Sequence, residues 1–448
     1  MERELLVPPA IGDLLELVVE KLIFQGGGLA RWRGMAVLVP GSAAGDRVRA
    51  RVSRIKRDYL EAGIQEILSP SVDRTLPFCR HFPACGGCQW QHLSLPAQRE
   101  WKEKILSELL APLSGRGQLA ISAILATSPP RAYRGRAQLK VQLEGNRSRL
   151  GFFQPRSQIL EEVEACPLLH PDLDSLCRSP HDLKYPNLAQ LYPALREIWM
   201  QRGSPQGEIL LTLITPPSSR SALRLLYHRL KEMCPAVSGI ALAWGREEEV
   251  YDHVGSPWIE MALRGLELRV GPTSFYQVGE QGAEAIFQVI EDWMSAERIE
   301  LALDLYCGVG TFCLPLAVQG VKVVGVEAHP EAASLARENR DRNRISGVRI
   351  MCRTAEAALH GRLREGRYDL VLLDPPRSGL TRGAMEGVVR LDSPRIIYIS
   401  CDPSTLARDL SRLMQGGYEP RSIQPLDLFP QTYHLETMVL LEKAAAPA

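Results

Sequence analysis

From residue 301 onward, short apolar runs alternate with longer amphipathic stretches. That rhythm constrains the fold more than any other property of the chain. Strands are predicted from residue 301 and over 321–327, 348–352, 368–374, 396–400 and 438–442. Helices are predicted at 282–294 and 330–343. Alternation of this kind specifies an α/β fold with a parallel, doubly wound sheet, which binds its ligands at the carboxyl ends of the strands. Four groups fall at such ends: the turn Asp304-Leu305-Tyr306-Cys307-Gly308-Val309-Gly310, then Glu327, Asp374-Pro375-Pro376-Arg377 and Ser400-Cys401-Asp402-Pro403.

Each group narrows the chemistry. Cys313 stands where a dinucleotide fingerprint has its third glycine, so the turn does not read as an NAD site. Glu327 ends the second strand, where a carboxylate grips ribose hydroxyls. A ribose without a pyrophosphate points to S-adenosylmethionine. Asp374 opens a stiff Asp-Pro-Pro turn, with φ near −65° at each proline. Methyltransferases that act on exocyclic amines carry an aromatic where this chain has Arg377. Cys401 follows a buried β-favouring run. Ser404 or Thr405 is expected to cap a helix starting at Leu406, whose dipole would favour a thiolate. The alternative is a small buried hydrophobe. Glu436, just before the last strand, is a general-base candidate or a strand-end charge. An extended segment would turn His434 to the same face as Glu436.

The remainder is organised differently. At 448 residues the chain is too long for one core. Residues 14–70 read as short strands with glycine turns, hence a small β-barrel of the OB type. In its first strand Glu16, Val18 and Glu20 share a face. In a later one Arg47, Arg49 and Arg51 make a basic face. Then comes a C-x5-C-x2-C array, Cys79, Cys85 and Cys88, with a fourth cysteine at Cys166 before Pro167. Four thiolates suit an iron–sulfur cluster or zinc. A redox C-x-x-C or plain buried thiols are the alternatives, but Phe78, Pro83, Gly86 and Gly87 predict loop rather than a helix start. Residues 96–113 form an amphipathic helix with Trp101, Ile105, Leu106 and Leu109 on one face. Arg131, Arg134, Arg136, Lys140, Arg147, Arg149 and Arg156 face a single acid, Glu144, within 131–156. With Tyr133, Phe152 and Phe153 interleaved, the stretch suits phosphate contact and base stacking, or else an ordinary solvated strand pair. A central α+β region is expected over 170–262, with helices at 188–200 and 221–233 and strands at 208–214 and 238–244. A formal net charge of +1 leaves any nucleic-acid contact to local patches. The acidic N-terminus is unlike a signal peptide, and no apolar run approaches the ~18 residues of a membrane span. A soluble, cytoplasmic protein is expected.

Taken together, these residues resemble the RNA uracil-C5 methyltransferases. The resemblance rests on Phe275-Tyr276-Gln277, the 304–310 turn, Asp374-Pro375-Pro376-Arg377, Ser400-Cys401-Asp402-Pro403 and His434-x-Glu436-Thr437, and it covers nearly the whole chain. It implies a TRAM-type barrel over 1–71 and a central α+β domain over 72–262, whose 96–113 helix packs on the catalytic domain. It implies a Rossmann-like catalytic domain over 263–448. Gln277, Tyr306, Glu327 and Asp374 would contact S-adenosylmethionine. Cys401 would be the nucleophile and Glu436 the base. Cys79, Cys85, Cys88 and Cys166 would hold a 4Fe-4S cluster. The RNA partner would be 23S ribosomal RNA, or alternatively the T-loop of transfer RNA, and the protein a monomer. Gly279 departs from the family's asparagine. A reading of another class is a non-catalytic RNA-binding or folding factor on the same scaffold, against which Cys401 and Glu436 both weigh.

Overall fold

The computed structural model describes the chain apart from residues 1–8, 117–118, 146, 179–187, 219, 246–247, 278–279, 296, 362, 364–365 and 445–448. Gly279 therefore lies outside the described residues. The chain forms two compact units, residues 1–108 with 429–434, and residues 109–428 with 435–448.

The first unit contains a closed barrel of β1 (Leu14–Leu22), β2 (Gly28–Trp32), β3 (Met35–Val39), β4 (Arg47–Ile55) and β5 (Tyr59–Ser69), in the order β1-β2-β3-β5-β4. Alternation dictates it. Leu15, Leu17 and Val19 face the barrel core with Val48, Ala50 and Val52, while Glu16, Val18 and Glu20 face out. The basic face expected on β4 is not free. The register sets Arg49 opposite Glu16, and Glu16 also takes Arg47 (3.3 Å), while Arg49 reaches Glu66 at 2.7 Å. Exposed pairs of this kind stabilise little, but they cancel the face's charge. The two arginines in turn hold the Glu16 carboxyl below its usual range. After the barrel, the helix Leu95–Leu110 buries Trp101, Ile105 and Leu106. Gln98 in that helix donates to the carbonyls of Trp90 and Leu93 and receives the amide of Gln431.

The second unit carries two large sheets. Short β6 (Leu125–Ala126) comes first in the chain. A seven-stranded sheet follows, built from β7 (Arg136–Glu144), β8 (Arg147–Phe153), β9 (Leu160–Glu162), β10 (Glu197–Arg202), β11 (Ile209–Ile214), β12 (Val237–Trp244) and β13 (Glu249–Gly255), ordered β13-β12-β11-β10-β7-β8-β9. The helix Arg220–Met233 and the strands β11 and β12 match expectation. The 188–200 segment does not. A helix covers only Leu188–Leu191, and the chain re-enters as β10. Pro193 cannot continue a helix, and Ile198-Trp199-Met200 fill a buried strand instead. The hairpin β14 (Ile259–Leu263) and β15 (Leu266–Val270) leads to the helix Glu280–Met294.

The eight-stranded sheet comprises β16 (Leu301–Leu305), β17 (Lys322–Glu327), β18 (Val348–Cys352), β19 (Leu370–Leu373), β20 (Arg395–Ser400), β21 (Tyr418–Asp427) and β22 (Glu436–Lys443), with β6 at one edge, ordered β18-β17-β16-β19-β20-β22-β21-β6. Strands β16 to β20 are parallel, as the alternation requires. The far side is not. β22 inserts antiparallel between β20 and β21. An antiparallel strand starts where its parallel neighbours end. The first residue of β22, Glu436, is thereby delivered to the ligand-binding edge.

Candidate active site

Strand register creates the central juxtaposition. β20 and β22 pair up to Ser400 opposite Thr437, and Cys401 and Glu436 are the residues just beyond that last pair, where Glu436 perturbs the Cys401 thiol. The chain turns sharply after Cys401. Asp402 caps the helix Pro403–Gln415, accepting from the amides of Ser404 and Thr405 at 3.0 Å each, with Pro403 in the first turn. The cap expected at Ser404 or Thr405 thus sits at Asp402. A carboxylate cap followed by proline is the stronger start signal.

Cys401 is half-buried, and its thiol is pushed up to about 12. Burial is the main cause and Glu436 the next, with Arg377 opposing. The helix dipole therefore does not yield a resting thiolate, contrary to the sequence expectation. Desolvation and nearby carboxylates outweigh it. Glu436 is 2% exposed, and burial together with Asp374 raises its carboxyl well above the usual range, again against Arg377. Burial thus favours the uncharged form of both groups. Arg377 is the cation that both of them feel, a role sequence reasoning missed. Thr405 Oγ1 donates to its carbonyl, and Arg408 donates to the carbonyl of Ser378. Buried Asp409 accepts from Tyr398 Oη and from the Leu380 amide, 2.8 Å each. Side chains of β20 and of the helix behind Cys401 thus fix the loop that carries Arg377.

The other strand ends form an acidic cradle. The Glu327 carboxylate accepts from the amides of Gly308 (2.9 Å) and His329 (2.7 Å), which aims it along the glycine turn. Gly308 and Gly310 have φ of +56° and +95°, and a Cβ on Gly310 would meet Leu314 at 2.6 Å. Tyr306 itself sits at φ +71°, unusual for a bulky residue, and its amide is held by the Val326 carbonyl. Burial lifts its phenol to about 12. Gln277 Nε2 donates to Asp374 Oδ2 at 3.2 Å. Asp374 is pushed up to about 7, mainly by burial, while the Gln277 bond pulls it down and Glu327 raises it. Beneath them Asp304 is fully buried with no side-chain partner, and its carboxyl lies well above the usual range through burial, Asp374 and Glu327, with the Cys313 amide pulling it down. Asp304 escaped the sequence reading as a site residue because a strand interior gives no local sign of a buried acid.

Gln277, Tyr306, Glu327, Asp374, Cys401 and Glu436 all lie in the second unit. The three acids Glu327, Asp374 and Glu436 are linked through Asp374, which feels Glu327 and perturbs Glu436. A concentration of carboxylates around an otherwise apolar strand edge suits a ligand bearing hydroxyls and positive charge. His434 belongs to the first unit, its ring 4.4 Å from that of Tyr433 and 6.0 Å from Phe429.

The cysteine array occupies turns in the first unit. Cys79, Cys85 and Cys88 are half-buried, and Cys85 Sγ accepts from the Gly87 amide at 3.4 Å. The loop expected there is present, with no helix opening on Cys85. Cys166 is half-buried in the second unit, its amide held by Asp174. Among the described residues, no group of three or more Cys, His, Asp or Glu side chains is gathered to hold a metal ion.

The basic stretch divides. Lys140 pairs with Glu197 (2.6 Å), and Arg149 with Glu144 (3.2 Å) and Glu162 (3.0 Å), as on an ordinary strand pair. Arg136 turns inward instead, over the Trp199 ring and to the carbonyl of Ser274. The Arg147 side chain is outside the described ones. Among the described residues, no helix is long and apolar enough to cross a membrane.

Comparison with known proteins gives a consistent result. Residues 259–444 match the tRNA (uracil-5-)-methyltransferase family, and residues 10–64 match the TRAM domain. An RNA methyltransferase of Thermosynechococcus vestitus is 32% identical over 96% of this chain and 98% of its own. The 23S rRNA (uracil(1939)-C(5))-methyltransferase of Aeromonas salmonicida is 33% identical over 96% of each chain. The crystal structure of Pyrococcus abyssi tRNA (uracil-54, C5)-methyltransferase with S-adenosyl-L-homocysteine superposes with a TM-score of 0.70. It covers 95% of this chain and 100% of that one, and at 23% identity the likeness establishes the fold.

Proposed function

This chain belongs to the S-adenosylmethionine-dependent RNA uracil-C5 methyltransferases, and on that premise we propose that its substrate is 23S ribosomal RNA and that Cys401 and Glu436 carry the chemistry. The observation that carries the chemical reading is the β20–β22 register, which leaves Cys401 and Glu436 just beyond its last pair at the sheet edge. The ribosomal reading draws support from the full-length similarity to 23S rRNA enzymes. Transfer RNA is the second candidate, favoured by the Pyrococcus abyssi neighbour. Mapping 5-methyluridine in total RNA with and without the protein tests it. Loss of one 23S position is expected, and loss from the T-loop alone would reassign the substrate. The protein works in the cytoplasm, where that RNA is.

Uracil C5 is too weak a nucleophile to be methylated unaided. Bound S-adenosylmethionine supplies an electrophilic methyl group on a sulfonium. Gln277, Tyr306, Glu327 and Asp374 would hold it, with Glu327 on the ribose and Asp374 near positive charge. Cys401 gives up its thiol proton to solvent and its Sγ adds to C6 of the uracil ring, and the electron pair of the C5–C6 double bond shifts to an enolate that makes C5 nucleophilic. Once C5 has taken the methyl group and the sulfonium has become a neutral thioether, Glu436 in its carboxylate form takes the C5 proton. The double bond then reforms, and Cys401 leaves as thiolate. Arg377 favours the charged form of each, the form in which Cys401 adds and Glu436 accepts a proton. The target base must leave its stack to reach them.

Asp374 gives this scheme a pH signature. Its carboxyl ionises near 7, and the ionised form attracts a cationic ligand. Affinity for S-adenosylmethionine should therefore rise as pH increases from 6 to 8. Asp374→Asn should flatten the profile at the weaker level, as measured by calorimetric titration. A pH-independent affinity in the parent would contradict this role.

For the cysteines, the support for a 4Fe-4S cluster is the spacing of Cys79, Cys85 and Cys88 and the Cys166-Pro167 pair. No catalytic step runs through it. Iron and sulfide analysis of anaerobically purified protein should find about four of each per chain. Zinc in place of iron, or no metal, would remove the cluster and leave the methyl-transfer scheme intact.

A further inference from the structure

We propose that a cavity beside Gln277 is a second nucleotide pocket, holding a base of the substrate RNA other than the uridine that is methylated. The proposal rests on the RNA methyltransferase reading and adds a site to it. The cavity, about 200 Å³, is lined among others by Tyr133, Arg136, Gln201, Arg202, Tyr276 and Gln277. It is smaller than the ~300 Å³ at which pockets for whole drug-sized ligands begin, so one planar ring suits it better than a complete cofactor.

The sheet explains how the pocket is made. Gln201 on β10 pairs directly with Arg136 on β7, so both side chains leave the same face. Their neighbours Ala137, Leu139, Ile198 and Met200 fill the core on the opposite face. The polar face meets the 271–277 segment. Arg136 Nη1 donates to the Ser274 carbonyl, and Thr212 Oγ1 donates to that of Pro272.

Two unmet demands point to a ligand. Gln201 is only 3% exposed, yet its Oε1 is buried without a hydrogen-bond partner. Arg136 Nε is buried and unpartnered as well. Among the described residues, no carboxylate lies within ion-pair distance of the Arg136 guanidinium, whose aromatic neighbour is Trp199 at 5.4 Å. Native folds rarely leave a buried amide and a buried cation so poorly satisfied unless something else completes them. A nucleotide offers what is missing. A primary amide presents an acceptor and two donors, enough to read a base edge with two hydrogen bonds. A guanidinium suits a phosphate or carbonyl oxygen, and Tyr133 and Tyr276 supply aromatic walls. Gln277 lines the cavity and also bonds Asp374, so this second base would sit next to the catalytic cradle.

The test compares the parent with Gln201→Leu, of similar size, and Arg136→Gln. Binding of S-adenosylmethionine and of a 23S rRNA fragment that the parent methylates would be measured for each. RNA affinity should fall about tenfold in each variant, within the range for a bidentate base contact. The salt dependence of Arg136→Gln should be shallower by about one ion if the arginine meets a phosphate. S-adenosylmethionine affinity should stay within twofold, which also certifies folding. In a scan of single-base changes flanking the target, Gln201→Leu should lose discrimination at one position. If Gln201→Leu does not fold, Gln201→Asn withdraws the amide by one methylene while keeping its polarity. Unchanged RNA affinity and unchanged discrimination would overturn the pocket, as would a parallel loss of S-adenosylmethionine binding, which would assign the cavity to the cofactor. Failure of the parent to methylate any RNA would instead sink the reading on which the pocket rests.

Discussion

Replacing Cys401 by alanine is expected to stop 5-methyluridine formation, with turnover falling on the order of 10⁴-fold or more, the scale on which removal of a covalent nucleophile acts. S-adenosylmethionine binding should survive, because Gln277, Glu327 and Asp374 are anchored by the glycine turn and by each other. Stability should change little. The thiol is half-buried, and alanine removes only its sulfur. Single-turnover methyl transfer from labelled S-adenosylmethionine, with a calorimetric titration alongside, separates the two effects. A variant that methylates at the parent rate would show that C5 is activated without addition to C6.

Glu436→Gln should fail at a later step and so behave differently. Its amide keeps the shape of the carboxyl, whose buried site already disfavours the charge, so RNA binding and thiol addition should proceed. The C5 proton then has no acceptor. The methylated ring stays attached to Cys401, and a protein–RNA adduct resistant to denaturant should accumulate. Turnover should fall about 10²–10⁴-fold, the usual contribution of a general base. The thiol supplies an independent reading. Cys401 is raised to about 12, partly by Glu436. Without that carboxyl the variant's thiol should alkylate faster with iodoacetamide as pH rises. Equal rates at every pH, or full turnover without an adduct, would remove Glu436 from its role.

Much of this site was legible in the sequence, because parallel sheets place ligand groups at strand ends and strand ends are marked by local signals. Gly308 and Gly310, the Pro375-Pro376 pair and Asp402-Pro403 each announce where a strand stops. What could not be read was pairing between distant strands. β21 contains Pro420, Pro425 and charged residues, and so lacks the pattern of a buried strand. Without it, the antiparallel insertion of β22 is invisible, and that insertion brings Glu436 to Cys401. Electrostatics was equally hidden. A cysteine ahead of a helix start suggests a lowered pKa, yet burial beside Glu436 reverses the sign. The arginine face of β4 looked free because its acids lie on β1 and β5. The 188–200 segment carries helix-forming residues on either side of Pro193, and only tertiary burial of Ile198 and Met200 decides for strand.

The central claim is that a sulfur–carbon bond forms between Cys401 and C6 of the target base. RNA carrying 5-fluorouridine at the target, mixed with enzyme and S-adenosylmethionine, tests it directly. Fluorine at C5 cannot leave as a proton, so the intermediate is held at the stage Glu436 would otherwise resolve. Mass spectrometry of the digested complex should find the methylated fluoronucleotide on the peptide containing Cys401. An adduct on another cysteine, or methyl transfer with no adduct at all, would contradict the account.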